Sequence, residues 1–127
     1  MSVHYETLGQ GIILVKYTDP LTIVEIADAV EAFQQIADEF GFDRYVTIND
    51  FTESKRFPSD LSNVQRLAAQ DKRAVGAVVV KAPLFTQIVG RMVSRMTSLI
   101  VVNSDSLKDG QIIAQRILAG EPIRSEV

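Results

Sequence analysis

The chain alternates between short apolar runs of strand length and longer stretches in which apolar residues recur every three or four positions. Residues 5–8 and 11–17 predict two strands. Gly9, Gln10 and Gly11 lie between them and supply a turn that tolerates positive φ. Ile12-Ile13-Leu14-Val15 is apolar at consecutive positions, which predicts a strand inside a sheet, covered on both faces. Asp19-Pro20 breaks that run. Thr22-Ile23-Val24-Glu25 then has the form of a capping box, with the Thr hydroxyl on a first-turn amide and the Glu reaching back. Ile23, Ile26, Ala27, Val30, Phe33, Ala37 and Phe40 keep helical spacing, and Gly41 is placed to end the helix. Asp28, Glu31, Asp38 and Glu39 make its other face acidic.

Three further strands and three further helices follow. Residues 45–49 predict the third strand, 75–81 the fourth and 99–103 the fifth. Ser59 is placed as the N-cap of a second helix, with Leu61, Val64, Leu67 and Ala68 inward. Pro83 suits the first turn of a third, whose stripe is Phe85, Ile88, Val89, Met92 and Met96. Ser106 caps the last, with Asp109 three residues on; Ile112, Ile113, Ile117 and Leu118 point inward, and Gly120 and Pro122 stop it. The expected architecture is α/β: a single mixed, mostly parallel sheet of about five strands, an N-terminal hairpin and four helices. It forms one domain over residues 1–127, with a loose tail at 121–127. If the third to fifth strands are parallel, Asn49-Asp50, Lys81-Ala82 and Asn103-Ser104 share one carboxyl edge, where open α/β sheets favour ligands.

Composition narrows the function classes. A net charge of −3 and a pI near 5.1 argue against a nucleic-acid partner. The absence of cysteine removes disulfides, thiolate metal sites and a Cys nucleophile. The start of the chain is polar, and no run reaches the roughly 18 apolar residues that cross a bilayer, so no transmembrane segment and a cytoplasmic location are expected. His4 is the single histidine and falls in a start expected to be mobile, so no Ser-His-Asp relay is assembled around it. Phosphate-loop, dinucleotide and zincin motifs are missing, and the spacing of Asp43, Asp50 and Glu53 fits no calcium loop. The expectation is a chain without cofactor or metal and without catalysis.

The hairpin start, the long helix after Pro20, the strand-loop-helix over residues 45–70 and the close Leu99-Ile100-Val101-Val102 leading to Ala114-Gln115-Arg116-Ile117-Leu118 resemble the STAS-type domain. That is the fold of bacterial anti-sigma-factor antagonists, and the resemblance is closest to the SpoIIAA-like group of small stand-alone proteins. The antagonists carry Asp-Leu/Phe-Ser/Thr, then Asp-Ser-Ser/Thr-Gly, whose first Ser is phosphorylated by a partner kinase. Asp50-Phe51-Thr52 matches the first half, and ungapped counting puts Ser59 at the phosphorylated position. Pro58, Asp60 and Leu61 depart from the second half. The resemblance therefore implies the fold and a regulatory, protein-interaction role ahead of a phosphoswitch.

Candidate contact residues follow from that edge. They are Asp50, Thr52, Lys55, Arg56, Lys81 and Ser104, with Ser59 as a phosphorylation site weighed against a plain N-cap. Phe85, Met92 and Met96 widen the apolar arc of the third helix, which suits either a homodimer patch or a soft cover over a small apolar ligand. The helix N-termini at the same edge suit an anionic ligand. The expected partner is thus another protein or a second copy, with a small apolar or anionic ligand as the alternative.

Overall fold

The computed structural model describes residues 3–9, 11–18, 23–53, 71–81 and 100–121. Its elements are β1 (Val3–Thr7), β2 (Ile12–Thr18), α1 (Ile23–Phe40), β3 (Tyr45–Glu53), β4 (Ala74–Val80), β5 (Ile100–Ser104) and α2 (Leu107–Leu118). The strands form one five-stranded mixed sheet in the order β1-β2-β3-β4-β5. β1 is antiparallel to β2, and β2–β3, β3–β4 and β4–β5 are parallel. Two helices lie among the described residues. The second and third helices expected from the sequence, beginning at Ser59 and Pro83, lie outside them, as do the capping-box Thr22 and the tail beyond Glu121.

Turn chemistry sets the hairpin. Gly9 and Gly11 take φ of +83° and +82°, where a side chain would be strained. The Leu8 N–H donates to the Ile12 carbonyl at 2.9 Å and closes the turn. The strand expected at residues 5–8 begins earlier, so His4 lies in β1 opposite Lys16 and not in a mobile start. Alternation along β2 then feeds both faces of the sheet. Ile13, Val15 and Tyr17 join Val79, Val101 and the α1 residues Ala29, Phe33 and Ala37. Ile12 and Leu14 join Val46, Ile48, Val78, Val80, Val102 and the α2 residues Ala114 and Ile117. Burying each of these large aliphatic side chains stabilises the fold by about 1.5–3 kcal/mol before entropy is counted. The expectation that β2 is apolar on both faces is met.

The helix stripes differ in detail from the expected ones. In α1 the buried line is Ala29, Phe33 and Ala37, four residues apart, and Ala27 and Val30 only flank it. Phe40 is 55% exposed and stacks on Phe42. It sits at the helix end, where Gly41 (φ +68°) turns the chain and the Phe42 N–H returns to the Ala37 carbonyl at 2.9 Å. In α2, Ile112 faces outward at 49% exposure, and the buried positions are Gly110, Ala114 and Ile117. Gly110 explains the offset. A Cβ there would meet Val80 Cγ2 at 3.2 Å and Val78 Cγ1 at 3.3 Å, so the helix backbone rests directly on β4. That close seat turns Ile112 away from the sheet.

At the amino ends of β3 and β4 a polar cluster ties three segments together. Arg73 forks onto Asp71, with Nη2 to Oδ2 at 2.9 Å and Nε to Oδ1 at 3.0 Å, and reaches Asp38 of α1 at 2.6 Å. The Tyr45 hydroxyl donates to Asp71 Oδ2 at 3.0 Å. Burial works to raise the Asp71 pKa, but hydrogen bonds from the Arg73 side chain and N–H outweigh it and hold the carboxyl below its usual range. Burial, with Asp71 beside it, pushes the Tyr45 phenol well up.

Candidate functional site

The carboxyl ends of the parallel strands come together in register. Lys16 of β2 faces Asp50 of β3, Asp50 faces Val80 of β4, and Val80 faces Ser104 of β5. His4 of β1 extends the row beyond Lys16. Alternation puts all five on the α2 side, because Ile12, Leu14, Val46, Ile48, Val78 and Val102 point there. The row is a ledge, exposed at His4 and Lys16 and buried at Asp50, Val80 and Ser104. His4 and Ser104 are four strand spacings apart, roughly 19 Å. A hydroxyl–imidazole relay between them is geometrically excluded.

β3 is longer than expected: Asp50, Phe51, Thr52 and Glu53 belong to the strand and not to a loop. Between Lys16↔Asp50 and Thr18↔Glu53 the register slips by one residue, leaving an extra residue in β3. Asp50 organises this bulge. Its Oδ1 accepts the Thr52 N–H at 2.9 Å and the Thr52 hydroxyl as well. An aspartate bonded two residues ahead is a usual way to shape such a bend, and bulges recur where a strand must re-aim a side chain. Thr52 and Glu53 emerge exposed.

Lys81 follows the end of β4 with φ of +51°. A lysine seldom adopts this left-handed conformation, and strained backbone clusters at functional sites. Its N–H donates to the Ser104 carbonyl at 3.1 Å, which prolongs the β4–β5 ladder past the strand. Its side chain is exposed. Ser104 donates to the Ser106 carbonyl at 2.8 Å, and Ser106 in turn accepts the Asp109 N–H at 3.1 Å as the N-cap of α2. The predicted cap is therefore met, and it changes the electrostatics. The first turn of α2 already has a side-chain acceptor on its amide, and Asp105 and Asp109 add negative charge. An open groove of about 330 Å³ runs there, lined by Asn103, Ser104, Asp105, Asp109, Ile112 and Ile113. Its two carboxylates make it unsuited to the anion expected at this helix start.

The opposite face of the same edge is polar in a different way. The buried Tyr17 hydroxyl donates to Asn49 Oδ1 at 3.1 Å, and Asn49 Nδ2 donates to Thr47 Oγ1 at 3.0 Å and to the Val78 carbonyl at 3.3 Å. Tyr17 stacks on Phe51 with ring centroids 4.7 Å apart. Burial, then the neighbouring Tyr5, raises the Tyr17 pKa far above that of a free phenol. This satisfied chain fixes β2 against β3 and so fixes the register of the ledge.

Of the residues expected at the site, Asp50, Thr52, Lys81 and Ser104 are gathered at this edge. Lys55, Arg56, Ser59, Phe85, Met92 and Met96 lie outside the described residues. Sequence reasoning missed Lys16 and the Tyr17–Asn49–Thr47 chain. The signal for Lys16 was present: it is the one polar position in the run Ile12-Ile13-Leu14-Val15-Lys16-Tyr17, and counting by two from Ile12 puts it on the ledge. Comparison with protein-family models, with curated proteins and with solved structures gave no match to this chain.

Proposed function

We propose that the chain is a non-enzymatic regulatory module of SpoIIAA-like type, which presents the carboxyl edge of its sheet to a partner protein. The reading is carried by one observation. Lys16, Asp50 and Ser104 sit in a single register row, and the exposed Lys81 is held beside it by a backbone bond to Ser104. The row has a cation at one end, a bonded carboxylate in the middle and the acidic β5–α2 groove at the other. A border that carries cations and carboxylates at separate points suits a protein partner better than a single small ion, because complementary charges give register and specificity. The separation of His4 from Ser104 supports a binding role over hydrolysis. The antagonist-like motif supports the same edge from the sequence, since Asp50-Phe51-Thr52 forms its bulge.

The rival reading, a carrier for a small apolar or anionic ligand, rests on Phe85, Met92 and Met96 and draws no support from the described groove. Affinity capture from the native cell separates the two. Wild type, a carboxyl-edge variant carrying Lys16→Glu with Lys81→Glu, and an amino-edge control, Lys72→Glu, are compared by mass spectrometry. The proposal expects a protein retained by wild type and control and lost from the edge variant. Identical protein sets from all three forms contradict it.

A further inference from the structure

We infer that the groove between β5 and α2 takes one arginine side chain of the partner protein. Its methylene stem lies on Ile112 and Ile113, and its guanidinium is held by Asp105 and Asp109. The inference rests on the partner reading for the source of that arginine, and it names the chemistry selected at this end of the carboxyl edge. Two separate features meet in the groove, an open space of about 330 Å³. Asp105 and Asp109 line it and are exposed. Neither belongs to the ion pairs of the described residues, which join Arg73 to Asp38 and Asp71, and Arg116 to Glu121. Ile112 lines the same space at 49% exposure, with the half-buried Ile113 beside it.

The helix sets how these side chains are spaced. Asp109, Ile112 and Ile113 stand at i, i+3 and i+4 of α2, so their Cβ atoms are about 5–6 Å apart on one surface. Asp105 directly precedes the Ser106 cap of the same helix. Gly110, seated against Val78 and Val80, leaves Ile112 turned outward, so packing fixes the apolar part of the groove. The start of α2 carries roughly half a unit of positive charge, and two carboxylates outweigh it. The groove therefore favours a cation. A bare ion gains nothing from Ile112, whereas a long side chain with an apolar stem and a charged head uses both features. Arginine suits the site better than lysine. Its planar guanidinium forks onto carboxylate oxygens, and it is more weakly hydrated than an ammonium, so it gives up less water on entering.

Nuclear magnetic resonance titration of the isotope-labelled full chain with Nα-acetyl-arginine amide tests the pocket without the partner. The expected result is a saturable shift of the Asp105, Asp109, Ile112 and Ile113 amides. Asp105→Asn combined with Asp109→Asn should weaken binding at least about tenfold. Nα-acetyl-lysine amide should bind more weakly than the arginine compound, and so should guanidinium chloride, which has no stem. Ile112→Ser should weaken the arginine compound and leave guanidinium unchanged. The three substituted residues are exposed, so each variant should keep the circular-dichroism spectrum of wild type. No saturable shift at these amides overturns the pocket. So does equal affinity for guanidinium and the arginine compound, or binding unchanged in the double variant. Affinity capture scores the partner reading separately. The Asp105→Asn, Asp109→Asn form should lose the captured protein. If it keeps a protein that Lys16→Glu with Lys81→Glu loses, the pocket is overturned and the partner reading stands. If no form captures a protein, the partner reading falls and the titration decides the pocket.

Discussion

Lys81 and Gly110 show how single positions shape the carboxyl edge. Lys81 holds a left-handed conformation (φ +51°) that costs a side-chain-bearing residue about 1–3 kcal/mol. Lys81→Gly relieves the strain but adds chain entropy, so urea unfolding should show a stability unchanged or raised by up to about 1 kcal/mol. Lys81→Val adds a branched Cβ to the same strain and should cost about 1–2 kcal/mol. Gly110 is the reverse case. Alanine is favoured over glycine inside a helix by about 1 kcal/mol. Yet a Cβ at 3.2 Å from Val80 and 3.3 Å from Val78 requires those side chains to give by a few tenths of an ångström, and both are fully buried in the core. Overpacking of this kind costs about 1–3 kcal/mol, so Gly110→Ala should lower the unfolding free energy despite its better propensity. A gain in stability would show that α2 is not seated on β4 as described.

At the scale of elements, the Asp38–Arg73–Asp71–Tyr45 cluster joins the end of α1 to the starts of β3 and β4. Asp71 has a lowered pKa in the folded chain, so folding favours its charged form. Its contribution is present above the unfolded carboxylate value, about 4, and is lost as pH falls through the lower folded value. Urea midpoints measured from neutral to acid pH should therefore fall less steeply for Asp71→Asn than for wild type, from a lower starting point at neutral pH. Equal slopes would show that Asp71 makes no favourable contacts in its charged form. This cluster also marks a boundary of what the sequence made legible. Short apolar runs of strand length announced the described strands, although β1 begins earlier than the expected residues 5–8. The Ser106 cap and the glycine turns were legible for the same local reasons. The extension of β3 through Asp50 to Glu53 was not, because those residues are polar and only a bulge with an internal Asp50–Thr52 bond lets them remain paired. The outward turn of Ile112 was hidden too, since it follows from how closely Gly110 lets a helix approach another strand. Arg73 with Asp71 and Asp38 spans 35 positions, a pairing that no local pattern encodes.

Across the whole molecule, the parallel run of β2 to β5 brings distant residues to one border. Lys16 and Ser104 are far apart in the chain and three strands apart in space. The expected edge of Asp50, Lys81 and Ser104 was legible once the strands were taken as parallel. Lys16 joined it through the parallel β2–β3 register, and His4 through the hairpin register. The sheet so built has a carboxyl border with mixed charge, an amino border sealed by the Arg73 cluster, and a lateral border at β1. The proposed meeting of the first of these with a partner protein is tested by site-specific photocrosslinking in the native cell. A photoreactive residue is placed in turn at Glu53 and Lys81 on the carboxyl border and at Lys72 on the amino border, all three exposed. One common protein adduct from Glu53 and Lys81, and none of it from Lys72, is the expected result. The same adduct from Lys72, or none from either carboxyl-border position, would contradict it.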